Sequence, residues 1–438
     1  MSDPHKGVFR SLRGVNYRIW FGGALVSNIG TWMQRTAQDW LVLTQLTNHS
    51  ASSVGIVMAL QFGPQLFLLP WTGFAADHFN QRKLLMATQA TMGALALMLG
   101  LLTVTGVVQL WHVYVFAFLF GCATAFDAPV RQTFVAELVG EKDLSNAIAL
   151  NSTSFNAGRM IGPAAAGIAI ASVGTGWAFL LNGASYVAVL ISLCLLRTHL
   201  LQPNARAGHA RGSFVEGFHY AWSRPDLRAM LVMLFLIGTF GLNFPIFIST
   251  MAVRVFHTDA SGYGTLSSIM AVGTLAGALL AAGRERPRFR FLLVGAAIFG
   301  LGCTLAGFAP GYWWFGGALV VIGVATLTVM NSTNSLMQLS TKPAMRGRVM
   351  ALRLAISLGG TPIGAPIVGW VADSFGPRWS LAVGAAGGFA AAVVALRYLV
   401  QHRHLRLHIQ DGRLRLHLDD DDPLSTADRP APIAEKTV

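Results

Sequence analysis

Charge is scarce in this chain. Only 12% of its 438 residues are Asp, Glu, Lys or Arg, about half the roughly 25% of an ordinary soluble domain. That excludes a typical cytosolic enzyme and excludes disorder for the bulk of the chain. Cysteine is scarcer still: Cys122, Cys194 and Cys303 each sit alone in an apolar stretch. With no C-x-x-C and no Cys/His pairing, neither a disulfide framework nor a zinc site is supported, and no metal or other cofactor is expected. The Walker sequence G-x-x-x-x-G-K-[ST] is absent, which argues against ATP as a driving force. The apolar segments hold no clustered acids for acid–base chemistry, against a membrane enzyme, and no large soluble output domain speaks for a sensor. A cleavable leader is not expected either. The first twenty residues are polar and basic, and the first apolar segment is long enough to stay in a membrane.

What the chain has is hydrophobicity: 53% apolar residues and a mean hydropathy of +0.53. Apolar segments run at 20–44, 53–76, 84–107, 110–129, 147–173, 177–196, 227–253, 262–283, 291–309, 312–334, 349–372 and 379–399. Each has the length of a spanning helix, about 20 residues, rather than of a barrel strand. The expected fold is all-α integral membrane, with twelve transmembrane helices. Twenty-seven of the 32 Lys and Arg fall in one set of loops and the two tails, and only Arg254 and Arg378 in the opposite loops. The net charge of +13 is therefore read as basic loops facing the cytoplasm rather than as a nucleic-acid surface. Both termini are expected in the cytoplasm, the even span number agrees, and the expected location is the bacterial plasma (inner) membrane.

The polar, Arg/Gly-rich stretch 197–226 divides the chain. It separates six helices (1–196) from six (227–400), with a cytoplasmic tail at 401–438. The halves echo each other. At an offset of 202, Leu150 falls on Leu352, Gly158 on Gly360, Gly174 on Gly376 and Trp177 on Trp379. At an offset of 210, Arg18 falls on Arg228 and Gly63 on Gly273. The expectation is two six-helix bundles in the same orientation, a parallel repeat about the membrane normal.

Apart from Arg228 and Arg397 at segment ends, three basic residues lie inside the segments: Arg35, Arg159 and Arg353. In the first segment Asn28, Thr31, Arg35, Gln38 and Asp39 share an arc of about 100°, and Arg35 and Asp39 are spaced to pair along the helix. One reading is a helix lining a water-filled cavity, with Arg35 or Asp39 touching substrate or proton; the other is a structural pair near the outer interface. Intramembrane charge favours function. In the fifth segment Gly158, Gly162 and Ala165 share a face that permits close helix approach, and Pro163 bends the helix. Arg159 beside them either faces the cavity or snorkels to the cytoplasm. Pro362 and Pro366 make the eleventh segment a second soft helix at the repeat-equivalent place, and interrupted helices at matching places point to moving parts. Gln61, Asn243, Asn331 and Arg353 complete the substrate and proton pathway candidates. After the second segment, Asp77 ends a helix, Asn80 suits a left-handed tight turn, and Arg82 opens the next helix. Asp127 and Arg131 offer an ion pair near the same surface. The eleventh helix is expected to start at a Ser340-Thr341 cap with Pro343 in its first turn.

These stretches resemble the major facilitator superfamily. GFAADHFNQRK (73–83) is similar to its loop signature G-x-L-A-D-R-x-G-R-[KR], with His78 and Asn80 departing from it, and GRMIGPAAAG (158–167) to G-x-x-x-G-P-x-x-G-G, the pattern of exporters. GTWMQRTAQDWLVL, FDAPVRQTFVAELV, LSNAIALNSTSFNAGRMIGP and RGRVMAL closely resemble its bacterial efflux branch, which includes the enterobactin exporter. The likeness covers the chain to about Val400. It implies that Asp77 helps hold the cytoplasmic side closed and that Gly158, Gly162 and Pro163 seal or pivot the half-interface; Arg82 and the Asp127–Arg131 pair near the same surface join Asp77 as gate candidates on their position. In the second half Pro287 stands where Asp77 would repeat, so the inner gate is expected to be asymmetric. The functional expectation is a proton-coupled secondary transporter, not an enzyme, exporting small amphipathic drug- or siderophore-like molecules by alternating access. Its partners would be a small-molecule substrate, protons and the lipid bilayer, with no nucleic acid, and it would be monomeric. Facilitated or inward transport is the alternative within the class.

The tail reads LRLHIQDGRLRLHL (405–418). Its period of two fits strands, and Asp411-Gly412 is a favoured hairpin turn. A small β-hairpin is expected, pairing Ile409 with Leu414, Leu407 with Leu416, Leu405 with Leu418, His408 with Arg415 and Arg406 with His417. A lone hairpin is marginal in water, and the alternative is a disordered tail.

Overall fold

Backbone in lipid must bond within its own segment, and long apolar runs satisfy that as helices. The computed structural model describes residues 9–202, 214–282, 288–402, 406–410 and 413–417. It is nearly all helical. The first group comprises α1 (Val15–Trp40), α2 (Ala51–Phe67), α3 (Leu69–His78), α4 (Gln81–Val104), α5 (Leu110–Leu138), α6 (Glu141–Val173) and α7 (Thr175–Cys194). The second comprises α8 (Phe214–Ser223), α9 (Pro225–Leu236), α10 (Phe244–Thr250), α11 (Ala260–Ala282), α12 (Phe289–Gly307), α13 (Tyr312–Ser340), α14 (Pro343–Phe375) and α15 (Pro377–His402). The molecule is an integral membrane protein: outward apolar side chains such as Leu101, Phe118, Ile191, Leu305 and Val393 are exposed, as on a lipid-facing surface.

Among the described residues nine stretches are long and apolar enough to cross a membrane, one of them Pro225–Val255. The count falls short of twelve for visible reasons. Asn, Gln, Thr and charged residues dilute α1 and α6, and α2 is only 17 residues long. It yields at Leu68 to α3, which carries Pro70 in its first turn.

The breaks in the helices differ from the expected ones. α6 and α14 each run 33 residues without interruption, past Pro163 and past Pro362 and Pro366. The discontinuity lies at 242–243 instead, between α9 and α10. There a π-helical turn, Ile237–Gly241, precedes Leu242, and Pro245 opens the next helix. Asn80 is extended (φ −66°, ψ 116°), not left-handed, because it serves as N-cap of α4 and accepts from Lys83 N–H at 3.0 Å. Lys342 rather than Ser340 or Thr341 precedes α14; the Thr341 hydroxyl is spent on the Met337 carbonyl at the end of α13.

Matching elements recur along the chain. α5 and α13 are both 29 residues long and α6 and α14 both 33. The 33-residue helices end on Gly174 (φ 97°) and Gly376 (φ 104°), a conformation that favours glycine. π-helical turns occupy Leu41–Leu46 after α1 and Met251–Val255 after α10.

Within the first group α1 packs on α6 and α7, α4 on α5 and α7, and α2 on α5. Within the second, α13 packs on α11 and α12, and α15 on α9 and α12. The groups meet along two seams, α2 with α14 and α6 with α11. At the end where α1 begins, here the basic end, each group has its own apolar core. Tyr17, Trp20, Phe134 and Leu193 belong to one, and Leu227, Met337, Val349 and Leu352 to the other. At the far end one core runs through both groups, from Leu41, Val54 and Phe179 to Phe247, Phe315 and Val368.

In the tail β1 (Arg406–Gln410) pairs antiparallel with β2 (Arg413–His417), with Leu407 opposite Leu416 and Ile409 opposite Leu414. The expected Leu405–Leu418 pair and the Asp411-Gly412 turn lie outside the described residues.

Candidate functional site

A cavity of about 180 Å³ lies between the two groups, lined by α1, α2, α6, α10, α11 and α14. Four of the nine pathway candidates line it: Arg35, Asp39, Gln61 and Arg159. The Arg35 guanidinium lies 5.1 Å from the Trp32 ring centroid and 5.3 Å from that of Phe62. Arg159 faces the cavity and lies 5.7 Å from the same Trp32 ring. The intrahelical Arg35–Asp39 pair is not formed: among the described residues no ion pair joins them. An Arg one turn before an Asp is the less favourable order on a helix, and each side chain has another neighbour. Asp39 Oδ2 accepts from the Tyr263 hydroxyl of α11 at 3.2 Å, and Trp40 stacks on the Tyr263 ring at 6.3 Å. The hydrogen bond therefore crosses from one group to the other.

The other five candidates lie off the cavity lining. Asn28 donates to Ser154 of α6 at 2.9 Å and accepts from Arg131 at 3.4 Å. Asn243 donates to the Thr239 carbonyl at the break before α10, and its Oδ1 is buried without a partner. Gln38 is buried, and Asn331 and Arg353 are half-buried. Sequence reasoning missed Trp32, Phe62, Phe244, Tyr263 and Ser267 in the lining. An aromatic residue in an apolar segment carries no signal of which way it faces.

Of the expected gate residues, Arg82, Asp127, Arg131, Gly158 and Gly162 make their contacts within the first group. Asp127 and Arg131 form their ion pair at 2.8 Å. The carboxylate also accepts from Thr88 at 2.9 Å and Gln89 at 2.6 Å of α4. With Asn28 and Ser154 this ties α1, α4, α5 and α6 together inside one group. Arg82 donates to the Leu193 and Cys194 carbonyls at the end of α7, where a cation satisfies orphan acceptors. Asp77 falls in the last turn of α3, and its side chain lies outside the described residues. Gly158 and Gly162 lie against α1: an added Cβ would meet the Asn28 backbone at 2.8 Å and Trp32 Cβ at 2.5 Å.

The seams are closed at the far end by backbone contact. An added methyl on Gly55 of α2 would overlap the Ala365 carbonyl of α14, and one on Gly264 of α11 the Pro163 carbonyl of α6. Asp373, which no motif singled out, finishes α14 by capping the neighbouring group. It accepts from Ala51 N–H at 2.8 Å, Ser52 N–H at 2.9 Å and the Ser50 hydroxyl at 3.1 Å, all at the start of α2, where a helix favours an anion. Arg254, one of the two basic residues of the opposite loops, pairs with the same carboxylate at 3.2 Å. Below the seam Asp259 caps α11. The Gly262 N–H and the Ser261 hydroxyl, which it accepts at 3.0 and 2.7 Å, hold its carboxyl below the usual Asp range.

A family model for transmembrane secretion effectors (MFS_3) matches residues 7–419. The chain belongs to this family of the major facilitator superfamily. This MFS protein is a membrane transporter, not an enzyme. It is 22% identical over 402 residues to the staphyloferrin A transporter of Staphylococcus aureus, covering 90% of this chain and 98% of that one. It is 25% identical over 378 residues to the enterobactin exporter EntS of Escherichia coli K12, covering 83% and 88%. Among solved structures, the MFS fold is shared with a bacterial homologue of the lysosomal transporter Spinster in an inward-facing, unoccupied conformation. The TM-score is 0.67 at 15% identity, covering 89% of this chain and 95% of that one. A POT family transporter in complex with 5-aminolevulinic acid gives a TM-score of 0.70 at 13% identity, covering 88% and 95%.

Proposed function

We propose that this MFS protein exports small amphipathic, siderophore- or drug-like molecules by proton-coupled alternating access, and that the conformation described here faces the cytoplasm. The observation that carries the reading is the uneven packing of the two groups. They share one core at the far end and keep separate cores at the basic end, with the cavity between them. With basic loops on the cytoplasmic side, that is a site closed to the outside and both termini in the cytoplasm of a bacterial cell. The two groups are two six-helix bundles (1–196 and 227–400) derived by duplication, twelve spans in all. The equal lengths of α5 and α13 and of α6 and α14, each pair offset by 202, support this. The siderophore names of both relatives support the substrate class and, for the enterobactin exporter, the direction.

Opening outward would break the Asp373 cap on α2 and the Asp39–Tyr263 bond, and would close the basic end, with Asp77 of α3 holding that end shut. Asp39 is the acid placed to couple this motion to a proton. One proton gains about 2.3 kcal/mol per 100 mV. The test is a screen of energised inside-out vesicles over siderophores and amphipathic drugs. Substrate-induced proton release with uptake into the vesicle lumen is expected. Movement with no response to the proton gradient would exclude the coupling, and no movement of any compound would exclude export of this class.

A further inference from the structure

Among the described residues neither arginine of the cavity lies within ion-pair distance of a carboxylate, although the Asp39 charge is near enough to act on Arg35. No ion pair includes either of them, and Arg35 Nε is buried without a hydrogen-bond acceptor. Both guanidiniums crowd one indole, 5.1 and 5.7 Å from the Trp32 centroid, where like charges repel in a medium of low dielectric. Among the described residues Asp39 is the only acidic side chain in the lining, and Tyr263 already engages one of its oxygens. The lining thus carries two cations to one anion, between the aromatic faces of Trp32, Phe62, Phe244 and Tyr263.

We propose that Arg35 and Arg159 form a subsite for an organic anion: a carboxylate or ionised phenol carried on an aromatic or apolar frame. An anion between the guanidiniums supplies the acceptor that Arg35 Nε lacks and screens the two cations from each other. Planar guanidinium forks suit a carboxylate or a pair of phenolic oxygens, and the rings of the lining suit the frame. The proposal deepens the transport reading, since it takes the cavity as the substrate site, but binding tests it without transport.

The purified full chain in detergent is titrated calorimetrically with 1-naphthylacetate and with its neutral amide, matched in shape. The acid is expected to bind at least about tenfold more tightly, as expected for charge-assisted bonds. Arg35→Gln and Arg159→Gln should each erase that preference, and Arg159→Lys should keep part of it, which separates loss of charge from loss of fold. Equal binding of acid and amide, binding of neither, or a preference that survives both Gln variants would each overturn the proposal. Uptake by inside-out vesicles is scored apart. Binding of the acid with no transport of any compound would sink the exporter reading and leave the anion subsite standing. Transport indifferent to charge would do the reverse.

Discussion

At the scale of single residues, the chemistry concentrates on a few polar groups in an apolar setting. Asp39→Asn keeps the Tyr263 contact and removes the proposed proton site. The expected outcome is transport that no longer responds to the proton gradient, read as substrate-induced proton release in vesicles; a wild-type response would make Asp39 structural. Asp127→Asn leaves Arg131 without its anion and weakens the bonds from Thr88 and Gln89. A loss of about 1–3 kcal/mol is expected, seen as a lowered thermal midpoint in micelles. Arg35, Asp39 and Arg159 were legible in the sequence because a charge inside an apolar run stands out. Tyr263 and Asp373 were not: a tyrosine near a helix start and an acid at a helix end are ordinary there. Their partners, Asp39 and the start of α2, lie over 200 residues away, beyond any local pattern.

At the scale of the element, hydropathy located the helices but not their breaks. Proline was the cue for interruption, yet α6 and α14 absorb theirs, while the segment 227–253 parts at 242–243, where Gly238, Gly241 and Pro245 cluster. The density of weak helix formers does not decide it: α6 runs through Gly158, Gly162 and Pro163, and α14 through Gly359, Gly360, Pro362, Gly364 and Pro366, so propensity is overridden by the packing of these long helices. The helix start at Ala260 offers a pH test. Asp259 is held below the usual Asp range, chiefly by the Gly262 N–H. Its capping contribution is thus complete above about pH 4, the ordinary Asp value, and is lost as pH falls through the lower folded value. Asp259→Ala should cost about 1 kcal/mol at neutral pH and flatten the acid limb of a stability–pH curve measured by thermal unfolding. The seams make a steric prediction. Gly264→Val drives a side chain into the Pro163 carbonyl and should part α6 from α11. A disulfide placed between positions 160 and 268, where the Ser268 hydroxyl of α11 donates to the Met160 carbonyl of α6 at 2.7 Å, is expected to form at least severalfold more slowly in the variant than in the parent.

At the scale of the whole molecule, the far end is held by one carboxylate from α14 on the first turn of α2. Asp373→Asn weakens that anion–helix contact and the Arg254 pair, so the population should shift toward states open at the far end. With Cys122, Cys194 and Cys303 replaced by Ser and Ser267→Cys introduced in the lining, labelling by an impermeant maleimide added from the far side should rise about three- to tenfold, the range of a modest conformational bias. An unchanged rate would show that the apolar core alone keeps that end shut. The two seams flank the cavity, and at Gly55 and Gly264 glycine brings backbone close to backbone across them. If the halves rock as proposed, two such rails would leave them one easy degree of freedom, rotation about the line that joins them; twisting or drawing apart would lift one rail off its track. Under the proposed alternating access such a rotation would change which end the cavity opens while the same residues line its middle, so that one cargo would meet the same walls on entry and on departure.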